Sequence, residues 1–322
     1  MKLRALIVAA SNRRKLNCSD LDSKARMLAL RMKGRLPPAW RIDVEDLGNV
    51  PGGPSIQGCN SCVSTSMALC VWPCNCYSRG DKDAPDLMWD RDLYARLEAA
   101  DAWAFVGPVN WYGPSSNLKL MFDRLVCMSG GNPRPDLIDD KDPVKARALE
   151  HSPRWKELSV NHLEGRTAGF FCYGDGGGDE VGADGRPVAL RHQSWFDPAR
   201  EPFRDMRETY APLVWQCRYA GIEVPDRLWR YVEFGRGLKY SDNQAEHLAR
   251  NAKVLARFDA WADAFAGHVG RKGKVPPGRW PAKQARRQTE GGRPACRFAS
   301  ASHAQHVADA VRRHGNRPEF RH

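Results

Sequence analysis

Short apolar runs recur along the chain, and most are followed by a polar loop and then by apolar residues at helical spacing. Five runs have the length and composition of β-strands, at residues 3–10, 40–47, 102–106, 167–173 and 228–232. The first is a continuous aliphatic run interrupted only by Arg4, which predicts a strand buried on both faces of a parallel sheet. The run at 40–47 alternates between apolar and polar residues, which predicts an edge strand.

The intervals between these runs have the apolar spacing of amphipathic helices. The expected helices cover residues 20–32, 86–99, 114–126, 202–220 and 241–269. Ser241 or Asp242 is the expected N-cap of the last helix. Strands that alternate with helices predict a parallel, doubly wound sheet, and right-handed crossovers place helices on both of its faces. The predicted fold class is therefore α/β, a three-layer α/β/α sandwich with a five-stranded parallel sheet.

Composition divides the chain into a folded body and a tail. Residues 1–269 contain all the expected strands and helices and form one predicted domain. This domain has two expected insertions, a cysteine-rich one at 59–76 and a polar, proline-punctuated one at 130–165. Residues 270–322 are rich in Pro, Gly, Arg and Ala and lack sustained apolar periodicity, which predicts a basic, disordered C-terminal tail.

The positive charge belongs mostly to this tail. Residues 270–322 carry thirteen Lys or Arg and three acids, a net charge of +10 out of +12 for the whole chain. Because the body keeps only +2, nucleic acid is not an expected partner, and a solvated tail is favoured over one that binds RNA, acidic lipid or a protein. No apolar run approaches the roughly 20 residues of a membrane span, and no cleavage pattern follows the first run. A cytoplasmic protein is expected.

The loop after the first strand predicts an anion site. It carries hydroxyl, amide and cationic side chains, among them Ser11, Arg13, Asn17 and Ser19. A strand, a polar loop and a helix in this order direct backbone N–H groups and the helix dipole toward an anion. Since the loop has no G-x-G-x-x-G pattern, it predicts a pocket for one phosphate and not for a dinucleotide. Many such loops bind nothing, so a loop without a ligand stays open at this point.

Two further loops follow the third and fourth strands. Pro and Gly stiffen and tighten the first of these loops, while its aromatic residues offer flat faces to a ring with polar edges. The expected ligand contacts in the two loops are Pro108, Val109, Asn110, Trp111, Tyr112, Gly113, Gly174 and Gly176. Ser115 and Ser116 start the next helix, where they either cap it or contact the ligand. Because parallel strands end at one edge of the sheet, the three loops are expected to form one site.

Five of the ten cysteines lie within eighteen residues. They are Cys59, Cys62, Cys70, Cys74 and Cys76. Disulfides are not expected without signs of secretion. Four of the five thiolates are candidate ligands of a [4Fe–4S] cluster or a zinc ion. The alternative is a set of reduced thiols with a structural or redox role. The remaining cysteines, including Cys127, show no such grouping in the sequence.

These motifs resemble those of the flavodoxin-like NADPH-dependent FMN reductases, a family with quinone-reductase-like and iron–sulfur flavoprotein branches. Residues 10–13, with Asn17 and Ser19, resemble its Gly-Ser-x-Arg…Asn-Thr/Ser phosphate loop. Residues 108–124 resemble its Pro-Val-Tyr-Trp-Gly…Lys…Asp-Arg segment, and the glycines from Gly174 resemble its glycine loop. The resemblance extends over about residues 1–240 and leaves the tail outside.

The resemblance implies a flavodoxin-like fold and a bound FMN, with the phosphate at residues 11–19 and the ring along residues 108–113. It implies hydride transfer from NAD(P)H through the flavin to a quinone, a free flavin or another small acceptor. No catalytic side chain is assigned, because the flavin carries the chemistry. The resemblance also implies a dimer, and its iron–sulfur branch places a cysteine motif after the second strand. The alternative function is an FMN/iron–sulfur electron-transfer protein that serves a protein partner.

Overall fold

The structure is a computed structural model of the chain and describes residues 2–13, 22–48, 56–83, 85–175, 183, 206–236 and 238–275. The strands are β1 (Arg4–Ala9), β2 (Arg41–Asp46), β3 (Ala102–Pro108), β4 (Thr167–Gly174) and β5 (Trp229–Glu233). The α-helices of the described part are α1 (Lys24–Arg35), α2 (Leu87–Asp90), α3 (Leu93–Ala99), α4 (Ser116–Arg124), α5 (Pro143–Glu150), α6 (Trp155–Leu158), α7 (Ala211–Tyr219), α8 (Ala245–Ala249) and α9 (Ala252–Lys272). Short 3₁₀ turns cover Cys62–Ser64, Met67–Leu69, Val126–Met128, Pro135–Ile138, Met206–Tyr210, Asp226–Leu228 and Tyr240–Asp242.

The five strands form one sheet in the order β2-β1-β3-β4-β5, and every pair is parallel. This is the doubly wound order of flavodoxin-like proteins, so the predicted fold class is confirmed. All five predicted strands are present within a few residues of their expected bounds, and β2 lies at the sheet edge as its alternating pattern predicted.

The side chains of the strands point alternately into two separate cores. Leu6 and Val8 of β1 belong to the core that α3, α4 and α7 cover, whereas Ala5 and Ile7 belong to the core under α1 and α9. The buried strands are apolar on both faces for this reason. The sheet with its two helical layers forms the predicted three-layer sandwich.

The cysteine-rich segment and the insertion at 130–165 pack together on the α3/α4 side of the sheet. Cys70, Cys74 and Cys76 belong to the same core as Leu6 and Val8. The insertion contains α5 and α6, and Ala146 of α5 packs in a small third core with Ala68, Leu69 and Val71. The insertion therefore holds the cysteine-rich segment against the body.

Two predicted helices are interrupted. The pattern at 86–99 forms α2 and α3, because Asp92 between them adopts a left-handed conformation with φ 54°. The pattern at 241–269 gives a 3₁₀ turn, α8 and α9. The predicted N-cap of the long closing helix is therefore wrong: Asn251 caps α9, since its Oδ1 accepts a hydrogen bond from the backbone N–H of Val254 at 3.0 Å.

The other helices are shorter at their starts than their patterns predicted. Ser23 caps α1, so this helix begins at Lys24 and not near residue 20. Ser115 caps α4, and its hydroxyl accepts from the N–H of Leu118 at 3.4 Å. In the expected helix at 202–220, α7 begins only at Ala211, after a 3₁₀ turn.

The C-terminal end of the described chain is helical as far as Lys272 in α9. The described residues end at 275, so residues 276–322 of the predicted tail lie outside them. No helix in the described part combines the length and the apolar character that crossing a membrane requires.

Gly107 on β3 tests how tightly the sheet packs beneath its carboxyl edge. A Cβ at this position would lie 2.8 Å from Tyr210 Oη and 3.0 Å from Ala10 Cβ. We expect Gly107→Ala to lower the free energy of unfolding by about 1–3 kcal/mol through overpacking. The matched control is Gly34→Ala at an exposed position of α1, where no atom lies within 4 Å of the added Cβ, and we expect it to raise stability by up to about 1 kcal/mol. Urea unfolding measures both, and equal stabilities would contradict the packing described.

Candidate functional site

The carboxyl ends of β1, β3 and β4 border a cavity of about 340 Å³, which we call the carboxyl-edge cavity. Parallel pairing of these strands places their following loops side by side, as the sequence predicted. Among the predicted contacts, the cavity is lined by Ser11, Arg13, Pro108, Val109, Asn110 and Gly174. Residues that the sequence analysis did not select also line it, among them Asn12, Lys24, Tyr173, Phe234, Asn243 and Gln244.

Close backbone packing fixes the loop after β1. The hydroxyl of buried Ser11 accepts a hydrogen bond from the backbone N–H of Arg13 at 3.1 Å. Gly48, after β2, lies directly against this loop, because a Cβ there would come within 2.3 Å of Ser11 O and 2.7 Å of Arg13 O. A side chain at residue 48 would therefore displace the loop. The motifs in the sequence do not indicate Gly48, because this glycine lies far along the chain from the β1 loop against which it packs.

Ser115 also holds this loop. Its buried hydroxyl donates to the carbonyl oxygen of Ala10, in addition to capping α4. The hydroxyl therefore joins the end of β1 to the start of the helix that follows β3. Of the two alternatives for Ser115, the structure supports the capping one.

Two cations face the carboxyl-edge cavity. The ammonium of Lys24 donates to the backbone oxygen of Asn243 at 2.9 Å and lies 5.2 Å from the ring centre of Phe234. The guanidinium of Arg13 donates to Gln244 Oε1 at 2.7 Å. Burial and the nearby charge of Arg13 lower the pKa of Lys24 to about 8, against the opposing charge of Asp175, which also lines the cavity. The two cations repel each other, which favours a bound anion between them.

Lys24 reaches the cavity because it is the first residue of α1. The Oγ of Ser23 accepts from the N–H groups of Ala25 and Arg26, at 3.1 and 3.4 Å, and this cap sets where the helix begins. The positive end of the helix dipole therefore lies beside the two cations. The sequence analysis missed Lys24 because the helix was expected to begin near residue 20.

Residues 110–113 form a tight two-residue hairpin. Asn110 and Gly113 exchange backbone hydrogen bonds of 2.8 and 3.0 Å. Trp111 and Tyr112 between them have φ values of 48° and 61°, the left-handed conformation that both central residues of a type I′ turn require. Bulky residues seldom adopt it, and such strain concentrates at functional sites.

Trp111 is 96% exposed, and neither it nor Tyr112 or Gly113 lines the carboxyl-edge cavity. The structure therefore brings together the predicted contacts at residues 108–110 and separates those at 111–113. The predicted contacts Asn17, Ser19 and Gly176 lie outside the described residues.

The structure gathers the cysteines of the 59–76 segment and adds a sixth. The Sγ atoms of Cys62 and Cys76 lie 3.5 Å apart. Cys127 joins the group through a hydrogen bond with the thiol of Cys70, which together with burial raises the pKa of Cys127 well above its usual value. The expectation that Cys127 stands outside the group is therefore wrong. We call these six residues the thiol cluster.

Two cations approach the thiol cluster. A hydrogen bond with the Cys76 thiol holds the pKa of Cys74 well below its usual value against the opposing effect of burial, with help from the charges of Arg124 and Lys141. No group of three or more His, Cys, Asp or Glu among the described residues is arranged to hold a metal ion. A metal or [4Fe–4S] cluster on Cys59, Cys62, Cys70, Cys74 and Cys76 therefore gains no support from this geometry and stays a prediction.

A buried ion pair joins the start of α2 to α4. Arg124 and Asp86 are fully buried, and their Nη1 and Oδ2 atoms lie 2.8 Å apart. The guanidinium also lies 4.6 Å from the ring centre of Tyr77 and donates to Gln57 O at 3.2 Å. Burial raises the pKa of Asp86, an effect that the charge of Arg124 opposes. Arg124 is thus a structural residue of this face.

Replacing Arg124 tests this anchor. We expect Arg124→Met to lower the free energy of unfolding by about 3 kcal/mol or more, because it leaves the Asp86 carboxyl buried without its cation. Lys119→Met on the same helix is the control: Lys119 and its partner Asp123 are largely exposed, so a change within about 0.5 kcal/mol is expected. Denaturant unfolding of both variants decides the matter, and a wild-type stability of Arg124→Met would refute the anchor.

Several solved structures are similar to the chain. An NADH:FMN oxidoreductase in its apo form is 10% identical, with 87% of this chain and 95% of that chain covered and a TM-score of 0.39. An FMN-dependent NADH-azoreductase from Bacillus anthracis is 12% identical over 83% and 98%, with a TM-score of 0.34. General stress protein 14 from Treponema denticola, in complex with FMN, is 13% identical over 80% and 99%, with a TM-score of 0.35. No curated protein matches the chain.

The family assignment rests on a separate match. Residues 3–200, well over half of the chain, match the family described as NADPH-dependent FMN reductase. This range includes β1 to β4 and the loops that border the carboxyl-edge cavity from those strands. The chain belongs to the NADPH-dependent FMN reductase family and is an NAD(P)H-dependent flavin oxidoreductase.

Proposed function

We propose that the protein transfers hydride from NAD(P)H through FMN to a small acceptor, a quinone or a free flavin. The observation that carries this proposal is the carboxyl-edge cavity, which has two cations near a helix N-terminus and a stiff, glycine-containing wall across from the β1 loop. Family membership supports FMN as the occupant. Turnover assays with NADPH or NADH and with different acceptors identify the preferred nicotinamide and the acceptor.

The donors of the cavity fit the phosphate of FMN. We propose that Arg13 and Lys24 bind the phosphate together with the hydroxyl of Ser11. A phosphate dianion between the two cations would remove the repulsion that contributes to the low pKa of Lys24. The predicted contacts Asn17 and Ser19 belong to the same loop and complete this proposal.

The other wall of the cavity is rigid enough to position a ring. Tyr210 Oη donates to the carbonyl oxygen of Pro108 at 2.8 Å, and the N–H of Val109 donates to Tyr173 O at 2.8 Å. A Cβ on Gly174 would lie 3.5 Å from Val109 Cβ and 3.3 Å from Tyr231 Oη, so residue 174 is closely packed. These bonds hold residues 108–110 in place before a ligand arrives, which lowers the cost of binding.

A bound FMN would supply the redox chemistry, as the carrier of two electrons between the nicotinamide and the acceptor. The chain then has to bind and orient both partners and to leave one face of the ring open. We propose that residues 108–110 and Gly174 contact the ring, and Gly176 stays a predicted contact. Trp111, Tyr112 and Gly113 stay predicted contacts, and the exposed indole of Trp111 gives an incoming flat molecule a surface on which to stack.

The test is reconstitution followed by turnover. The purified protein is loaded with FMN, and NADPH or NADH oxidation is followed with 1,4-benzoquinone or free FMN as acceptor. We expect flavin absorption bands, and turnover that requires bound FMN and one of the two acceptors. A protein that does not bind FMN would refute the proposal. Rapid electron transfer to a protein partner without turnover of these acceptors would favour the electron-transfer alternative.

The pH dependence of FMN binding tests the role of Lys24. Below about pH 8 Lys24 is already protonated before binding, so FMN affinity should be highest there. Above pH 8 the bound phosphate has to draw a proton onto Lys24, so affinity should fall by up to about tenfold per pH unit. Lys24→Met should weaken FMN binding at pH 7 by about tenfold or more and remove this pH dependence. Quenching of flavin fluorescence measures all these affinities.

Lys33→Met is the matched control, since Lys33 lies exposed on the same helix α1. We expect it to bind FMN like the wild-type protein at every pH. Riboflavin, which lacks the phosphate, should bind Lys24→Met and the wild-type protein equally. An unchanged FMN affinity in Lys24→Met would contradict the placement of the phosphate.

A further inference from the structure

Cys62 and Cys76 are a pair in the thiol cluster whose sulfur atoms lie in van der Waals contact. The Sγ atoms of Cys62 and Cys76 lie 3.5 Å apart, against about 2.05 Å in a disulfide bond. A shift of about 1.5 Å would therefore join them. Cys62 lies in a short 3₁₀ turn and is half-buried, whereas Cys76 is 7% exposed. Neither residue lines the carboxyl-edge cavity, so FMN binding as proposed above makes no use of them.

The ammonium of Lys141 lies close to the sulfur atoms of both Cys62 and Cys76. Lys141 Nζ lies 3.5 Å from Cys62 Sγ and 3.9 Å from Cys76 Sγ. A hydrogen bond of 2.7 Å from this ammonium to Leu69 O keeps it in place. An ammonium at this distance stabilises a thiolate on either sulfur and also stabilises a thiolate that leaves.

The turn that carries Lys141 is strained. Asp139, Asp140 and Lys141 have φ values of 43°, 56° and 110°, three consecutive non-glycine residues in the left-handed half of backbone space. Each such residue costs free energy and persists only where surrounding contacts hold it. The turn ends in the residue that contacts the two sulfur atoms, so the strain and the cation belong to one local arrangement.

We propose that Cys62 and Cys76 form a redox-active dithiol that reduces low-molecular-weight disulfides. The Cys62 thiolate attacks one sulfur of the disulfide, a new S–S bond forms, and the first small thiolate leaves. The Cys76 thiolate then attacks Cys62 Sγ and releases the second small thiolate. One disulfide and two cysteine thiols thus give a Cys62–Cys76 disulfide and two small thiols, so two electrons pass to the substrate and two protons stay with the products.

Access and pairing select these two cysteines from the cluster. Cys62 is the more exposed of the two, so a small disulfide reaches its sulfur first. Cys70 and Cys127 hydrogen-bond each other in the core, and both are buried. Cys74 is buried, and the hydrogen bond with the Cys76 thiol, together with the charge of Arg124, supports its thiolate in place. Cys59 is half-buried, and burial raises its pKa, which disfavours the reactive thiolate.

The experiment uses the full-length, FMN-loaded protein, reduced and then freed of reductant, with glutathione disulfide as the probe and no nicotinamide present. We expect two thiols per chain to be lost in a fast phase, two glutathione molecules to be released and none to be retained. Peptide mapping without reductant should recover residues 62 and 76 in one linked peptide pair. A retained glutathione on the wild-type protein, or a different linked pair, would overturn the proposal.

Four variants keep the proposal falsifiable. Cys76→Ser should retain one glutathione on Cys62, and Cys62→Ser should lose the fast phase, whereas the control Cys59→Ser should react like the wild-type protein. Lys141→Met should slow the fast phase by about threefold. Without the ammonium a smaller fraction of Cys62 is thiolate, but the thiolate that remains is a stronger nucleophile, which offsets part of the loss. A fast phase that persists in Cys62→Ser would overturn the assignment. So would thiols that react only after a chelator removes a stoichiometric metal ion.

Discussion

The parallel pairing of β1, β3 and β4 is the constraint on which the rest of the structure depends. Ala9 pairs with Val106 and Val106 pairs with Phe171, so the three strands reach their carboxyl ends within a few residues of one another. Three loops that are far apart in the sequence therefore border one cavity. The two apolar cores fix this register, because a shift by one residue would turn each buried side chain to the opposite face.

Charge is used in two different ways around this frame. On the α3/α4 side, Arg124 of α4 is buried with a matching carboxylate, Asp86, and joins α4 to the start of α2. At the carboxyl edge, Arg13 and Lys24 share a cavity in which their like charges oppose each other. A paired buried charge is a structural feature, whereas a repelling pair at a cavity is the expected preparation for an anionic ligand.

The sequence predicted the strands well and the site in part. Buried strands of a parallel sheet are continuous apolar runs that no other element imitates closely, and the loops at their ends followed from the topology. The start of α1 was harder to predict, because several polar residues before it are possible caps. Since the helix was expected to begin too early, the place of Lys24 at its first turn was missed. Gly48 and Cys127 act through residues distant in sequence, and no local pattern indicates such contacts. The left-handed turn at Trp111 runs against the preference of its own residues.

The proposed position of the FMN phosphate, between Arg13 and Lys24 at the carboxyl edge, has a direct test. Calorimetric titration of the protein with FMN at pH 9, in two buffers of different ionisation enthalpy, measures the number of protons taken up on binding. With the pKa of Lys24 at about 8 before binding, we expect the uptake of close to one proton per FMN and none with riboflavin. An uptake of zero with FMN, or the same uptake with riboflavin, would contradict it.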